Sequence, residues 1–255
     1  MSAVLYHGEP NGPSLSVLAA LEESGLAIEC RSIELHMAAR HQLLHASPSP
    51  VSDPVFADYA VEGEGPVLVA GGEAMSEAVF IAQYFDEVSG CGLQPADPYA
   101  RWQMLMWCRQ ATERLAPAAA YIGLRATEPG RADLATIRSD DLRERWQDWQ
   151  HGRFDEAKLA DSRAKVAQFA QRIEDQLADG REWLMGAFSI ADLETFAWLR
   201  SMVTLEAGAF SGKERCEDWL DRVESRASVQ RALARSVTGK PERAFAPGPE
   251  INRWG

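Results

Sequence analysis

Two hydrophobic periods alternate through the first ninety residues. Ala3-Val4-Leu5-Tyr6 is a short strand-forming run, followed by seven residues, His7 to Pro13, dominated by turn formers. From Ser14, placed as an N-cap, Leu15, Val17, Leu18 and Leu21 recur at helical spacing until Gly25 stops them. Ile28 to Ile33 alternates as a half-buried strand, so the opening reads strand, helix, strand, the βαβ unit of a parallel pair. A second group lies between Gly65 and Val88. Pro66-Val67-Leu68-Val69 predicts a buried strand, Gly71-Gly72 a tight turn and Glu73-Ala74-Met75 a return strand. Ser76 then predicts the cap of a helix carrying Val79, Phe80, Ala82, Tyr84 and Val88. Between the two groups, a His-rich helical piece from His36 to His45 precedes a Ser-Pro stretch and an acidic loop.

After a linker rich in Gly, Pro and Asp, every remaining periodic stretch is helical. A long helix is predicted from Tyr99 to about Thr127, with Pro117 able to kink it. Further helices are expected over 140–149, 155–178, 216–226 and 229–236. Ser189-Ile190-Ala191-Asp192 has capping-box spacing before a nearly all-apolar run, as expected of a buried central helix. The expected division is 1–89 for an α/β unit, 90–98 for the linker, 99–238 for an all-helical unit and 239–255 for a surface tail.

Charge changes the picture more than composition does. A formal net charge of −12 argues against nucleic acid as partner, because binding phosphate backbone requires clustered Lys and Arg. Residues 1–88 contain thirteen Asp and Glu against two bases, Arg31 and Arg40. No apolar run approaches the ~20 residues that span a bilayer, so the expectation is a cytoplasmic protein without a membrane partner. The four cysteines, Cys30, Cys91, Cys108 and Cys216, form no CxxC pair and are expected as reduced thiols in apolar settings, with no metal site.

An α/β unit with Pro66 before a strand, the Ser76-Glu77 helix start, and Ser189-Ile190-Ala191-Asp192 after a Trp-Leu-Met-Gly turn together resemble the glutathione S-transferase superfamily. The fold implied is a thioredoxin-like N-terminal domain joined to an all-α C-terminal domain. Gly12-Pro13-Ser14-Leu15, Gln94-Pro95-Ala96-Asp97-Pro98-Tyr99 and the segment from Cys216 to Val223 are similar to the bacterial β-etherases of sphingomonads. Those enzymes use glutathione to cleave β-aryl ether bonds in lignin-derived aromatic dimers. The resemblance implies a dimer with a related transferase-fold subunit and a cis bond before Pro66.

It also implies roles for particular residues. Ser14, with Asn11 as a substitute donor, would polarise the glutathione sulfur, whose free thiol has a pKa of about 8.5. Glu77 would bind the γ-glutamyl amino group, Ser76 stands beside it, and Pro66 with Val67 would present backbone to the cysteinyl part. The glycyl carboxylate would need Arg40 or one of His36, His41 and His45. The sequence departs from the family pattern at three places. Pro13 stands where an Asn accompanies the catalytic Ser, Ala78 where a hydroxyl follows the acid, and cations are scarce. These departures favour a degenerate supporting subunit of a heterodimeric β-etherase over a fully active homodimer or a non-enzymatic scaffold. A basic face on the other subunit would then answer the acidic N-terminal unit. Trp102, Trp107, Tyr121, Trp146 and Trp149 are either stacking walls for an aromatic substrate or core, and His151 is expected at the surface.

Overall fold

The computed structural model describes residues 3–33, 65–128, 134–135 and 140–246. Strands β1 (Ala3–His7), β2 (Glu29–Ser32), β3 (Val67–Ala70) and β4 (Glu73–Met75) form one mixed sheet in the order β2-β1-β3-β4. β1 pairs parallel to β2, which requires the crossover helix α1 (Pro13–Ser24). β3 runs antiparallel to both β1 and β4, and Gly71 and Gly72 adopt the positive φ that the two-residue hairpin demands. Burial ties the register to the core: Leu5 pairs with Leu68 and both are fully buried. Helix α2 (Ala78–Ser89) follows, and α1 packs against it.

Both predicted serine caps are displaced. The N-cap of α1 is Gly12, with Pro13 in the first turn, so Ser14 already lies inside the helix. Proline's fixed φ and missing N–H suit that first position, and the Gly-Pro pair sets the start ahead of the serine. The N-cap of α2 is Glu77, not Ser76. No peptide bond among the described residues is cis, so the bond before Pro66 is trans. Trans is favoured by about 0.5–1 kcal/mol for a residue preceding proline, and Val67 enters its pairing with Tyr6 in register from a trans bond. The His36–His45 piece and the acidic loop lie outside the described residues.

The remainder is helical: α3 (Pro98–Gln110), α4 (Ala116–Arg125), α5 (Asp140–Gln150), α6 (Glu156–Gln176), α7 (Ile190–Leu199), α8 (Met202–Leu205), α9 (Glu214–Glu224) and α10 (Ala227–Leu233). The single long helix expected over 99–127 is broken by a π turn, Ala111–Leu115. Pro117 explains it. A proline there removes the N–H that Glu113 carbonyl would accept and crowds that carbonyl. In the wider turn the Ala116 N–H reaches back five residues to the Ala111 carbonyl.

Every residue of α7 is buried, and one continuous core joins the sheet unit to the helices through it. Asp192 anchors its start. Its carboxylate accepts from the Ser189 N–H and hydroxyl at 3.0 Å each, the Leu184 N–H at 3.0 Å and the Trp219 indole at 2.9 Å. Asp86 fastens the linker in the same way, accepting from the N–H groups of Gly92, Leu93 and Gln94. The Leu93 carbonyl in turn accepts from Ile190. Cys91 is exposed, not in an apolar setting, while Cys108 and Cys216 are buried. Among the described residues no helix is long and apolar enough to cross a membrane.

Candidate functional site

The sheet register gathers the expected site at one end. Continuing the pairings Tyr6↔Val67 and Leu68↔Met75 by one step sets His7 beside Pro66, and by two steps Pro66 beside Glu77. The loop Gly8–Gly12 leaves β1 at this end, Pro66 and Val67 enter β3 there, and Ser76 and Glu77 leave β4 there. β2 ends here too, since the Ile33 N–H donates to the His7 carbonyl. Arg40, with His36, His41 and His45, lies outside the described residues.

Gly12 is the pivot of the loop. Its φ of 50° is open to glycine, its N–H donates to the Ala197 carbonyl on α7, and a Cβ there would stand 3.1 Å from the Trp198 ring. Trp198 is held in turn by Glu194, a fully buried carboxylate that accepts its indole N–H at 2.9 Å. Burial raises the Glu194 pKa despite that bond. The loop is therefore seated on a buried post of the central helix.

Ser14, one turn on, is buried, and its hydroxyl oxygen accepts the Gly8 N–H at 3.0 Å. Nothing among the described residues accepts its proton, so the hydroxyl keeps its capacity to donate. Asn11 does not. Its amide donates to the Ala244 carbonyl and its oxygen accepts from Ser201, both at 2.9 Å. It is a strut between the loop, α8 and the C-terminal segment. His7 is buried too, with Nδ1 donating to the Gly8 carbonyl at 2.7 Å. Burial, reinforced by the charge of Arg235, lowers its pKa and keeps the ring neutral.

Glu77 is the conformational outlier. With φ 72° and ψ 112° it is the sole non-glycine residue among those described with a positive φ. Such a backbone costs about 1–3 kcal/mol and is found where a side chain or N–H must be aimed at a ligand. Ala78 behind it is buried and offers no hydroxyl.

The loop also carries Glu9, which no local sequence signal singles out. Glu9 accepts from the Ser236 hydroxyl at 2.6 Å, from the N–H groups of Val237 and Thr238 at 2.9 and 3.0 Å, and from the Thr238 hydroxyl at 3.1 Å. Burial works against its ionisation, but these donors outweigh it and hold the pKa below the usual glutamate value. The only local signal is an acid in a turn-rich loop; its partners lie more than 220 residues away. The tail expected to drape over the surface is instead fastened as far as Ala246. Phe245 lies so close to Gly123 that a Cβ there would meet its ring at 2.3 Å.

The acidic character of the first unit is answered partly within the chain. Glu22 pairs with Arg231 and Arg235, and Glu23 with Arg226, all on or beside α10. These two carboxylates need no basic partner surface. Of the aromatic candidates, Trp107 is core, with its N–H on Thr195, and Trp146 is buried against Trp149 in an edge-on pair. Trp102 is exposed and Tyr121 half-buried, its hydroxyl accepting the Asp155 N–H at 2.7 Å. His151 is at the surface. Among the described residues no cluster of His, Cys, Asp or Glu could hold a metal ion.

The sequence matches no protein-family model. It is 25% identical to Protein LigF of Sphingobium sp. (strain NBRC 103272 / SYK-6) over 259 residues, covering 92% of this chain and 95% of that protein. Among solved structures, beta-etherase LigF from Sphingobium sp. strain SYK-6 superposes with a TM-score of 0.75 at 24% identity, covering 92% of this chain and 100% of that one. A glutathione transferase from Pseudomonas putida, with one glutathione disulfide bound per subunit, gives 0.59 at 24% identity over 91% and 90% of the two chains. Glutathione transferase F7 from Populus trichocarpa gives 0.63 at 18% over 95% and 100%. The fold is thus that of the glutathione transferases, as the sequence resemblance implied.

Proposed function

We propose, from this fold and the row of residues at the end of its sheet, that the chain is a glutathione-dependent transferase of the β-etherase kind. Glutathione is the co-substrate and an aryl ether of lignin-derived type the second substrate. The observation that carries the reading is Glu77. It holds a positive φ at the end of the sheet beside Pro66, a backbone that costs about 1–3 kcal/mol.

Bound glutathione would supply a thiolate that attacks the ether-bearing carbon, forming a C–S bond as the C–O bond breaks and a phenolate leaves. The chain's own part is to bind and orient. Ser14 keeps one lone pair on Gly8 and aims its hydroxyl proton at the sulfur, and the uncapped start of α1 adds positive potential. Glu77 takes the γ-glutamyl ammonium, and Val67, behind Pro66, pairs backbone to backbone with the cysteinyl part. Arg40 remains the cation for the glycyl carboxylate. The 99–238 unit supplies the aromatic wall, with Tyr121 its half-buried candidate.

A second reading, the supporting subunit of a heterodimer, draws on Asn11, whose polar groups are both taken within the chain, and on Ala78. Exposed Phe80 and Val88 on α2 and Tyr99 on α3 suit pairing with a related subunit. Calorimetric titration of glutathione into the purified chain separates the two. Binding at micromolar concentration that Ser14→Ala weakens supports the active enzyme. Binding that appears only when a related transferase-fold subunit is added supports the second reading. No binding in either case sinks both.

A further inference from the structure

One ionisable side chain at the centre of the molecule takes no part in the chemistry above. Glu194, in the middle of α7, is fully buried, and its one close hydrogen bond is the Trp198 indole N–H on Oε1 at 2.9 Å. Oε2 has no hydrogen-bond partner among the described residues. Asp192, on the same helix and equally buried, instead accepts from Leu184, Ser189 and Trp219. A single neutral donor does not offset the hydration that a carboxylate loses on burial, whereas the uncharged acid loses far less.

The groups around this carboxyl fit the uncharged form. The hydroxyls of Ser16 on α1 and Thr112 on the π turn lie against it. Thr112 already donates its proton to the Cys108 carbonyl at 3.0 Å, and the buried Ser16 oxygen has no partner among the described residues. Each therefore has a lone pair to accept a proton carried on Oε2. No cation among the described residues balances a charge there. Arg200, the base that follows α7, pairs with Glu224. The ionisable group turned toward Glu194 from α3 is the Cys108 thiol, which burial keeps neutral.

A short path of contacts leads from this carboxyl to the loop before α1. Its bond to the indole N–H fixes the Trp198 ring, and a Cβ on Gly12 would stand 3.1 Å from that ring. The Gly12 N–H is tied to the Ala197 carbonyl at 3.2 Å, so ring and loop sit on the same turn of α7. Close packing leaves no slack between them, and a shift of the indole moves Gly12 and, with it, Ser14. We propose that Glu194 is a positioning residue of this site: as an uncharged acid it holds Trp198 against Gly12 and so fixes the direction of the Ser14 hydroxyl. The proposal rests on the reading that Ser14 meets the glutathione sulfur, and adds the side chain that aims it. The proton of Glu194 is shared with Ser16 or Thr112, so the acid takes no part in the bond changes themselves.

Infrared difference spectra of the full chain at neutral pH, wild type against Glu194→Gln, should show the carbonyl stretch of a protonated carboxyl that the variant lacks. A carboxylate band in its place overturns the proposal. Two variants then test the aim: Glu194→Gln keeps an oxygen for the indole, and Glu194→Met fills the space without one. Exchange of the Gly8 amide, which donates to Ser14, should quicken about fivefold in Glu194→Met and less than about twofold in Glu194→Gln. The thiolate of bound glutathione, read by its ultraviolet absorbance at neutral pH, should fall about fivefold in Glu194→Met and be retained in Glu194→Gln. Equal losses in the two variants overturn the proposal, as does Gly8 exchange unmoved by Glu194→Met. Where Glu194→Met does not fold, Trp198→Phe removes the N–H but keeps a ring, and the same loss is expected. If the wild-type chain binds no glutathione, the glutathione reading fails by itself, and Gly8 exchange in the free chain still decides whether Glu194 positions Ser14.

Discussion

The start of α7 and the starts of α1 and α2 answer the same physical need in opposite ways. Each helix begins with N–H groups that lack partners inside the helix. At α7, Ser189 and Asp192 form a capping box, and the Asp192 carboxylate also collects Leu184 and Trp219, so the whole end is satisfied by the chain. At α1 and α2 the N-caps are Gly12 and Glu77, neither of which makes a side-chain cap bond, and neither first turn carries an acid. One end is finished by side chains; the others are not. The finished end lies in the core, and the unfinished ones flank the row of His7, Pro66 and Glu77.

The largest break in this comparison comes from the finished end. Asp192→Ala strands four buried donors and is expected to cost about 3–5 kcal/mol in chemical denaturation. A loss below about 1 kcal/mol would mean that the cap is not what holds α7. The same group sets a pH dependence. Burial raises its pKa to about 6 against its donors, so the folded state holds the proton more tightly than the unfolded state does. Its contribution is then fully present below about pH 4 and is lost as pH rises through 6, by roughly 3 kcal/mol. Measured against Asp192→Asn, wild-type stability should fall from pH 4 to pH 6. A rise over that window would show the carboxylate to be ionised throughout.

At the unfinished end the expected signs reverse. Glu77→Gly removes the strain of a left-handed non-glycine residue and should stabilise the fold by about 1 kcal/mol, while weakening glutathione binding by about tenfold or more. Stability and binding moving together would instead make Glu77 a packing residue. Gly12→Ala probes the adjoining loop. With φ at 50° and Trp198 at 3.1 Å, it should cost about 1–2 kcal/mol and displace Ser14 from Gly8.

The same contrast explains what the chain made legible. The hairpin was readable because Val67 to Met75 combines a short apolar run rich in β-branched residues with a Gly-Gly turn, and each of those signals is local. The α7 box was readable because both halves of the cap lie within four residues. Ser14 and Ser76 were misplaced as caps because a serine before a hydrophobic run is a local cue, and Gly12-Pro13 is a stronger one. Nothing in the letter Glu announces the positive φ of Glu77, since an L-residue adopts it only when its surroundings force it. Asn11 and Glu9 were opaque for another reason: their partners at Ala244, Ser201 and Ser236 lie some 190 to 233 residues away.

Glu9 gives the smallest and most local prediction. It joins the loop before α1 to the C-terminal segment, so it tests whether the unfinished end is held from outside as well as from α7. Its pKa is depressed by the donors of Ser236, Val237 and Thr238, so its contribution is present above the unfolded glutamate value of about 4.3 and is lost as pH falls below it. Glu9→Gln removes the charge but keeps the shape, which weakens the hydrogen bonds without opening a cavity. Hydrogen exchange at the Val237 and Thr238 amides should quicken about fivefold at neutral pH, equivalent to about 1 kcal/mol, with the α7 amides unaffected. In wild type the same quickening should appear on acidification, and in the variant it should not. If exchange quickens across α1 and α7 as well, the loop and tail open only with the whole molecule, and the distinction between a finished and an unfinished end would not extend to their stability.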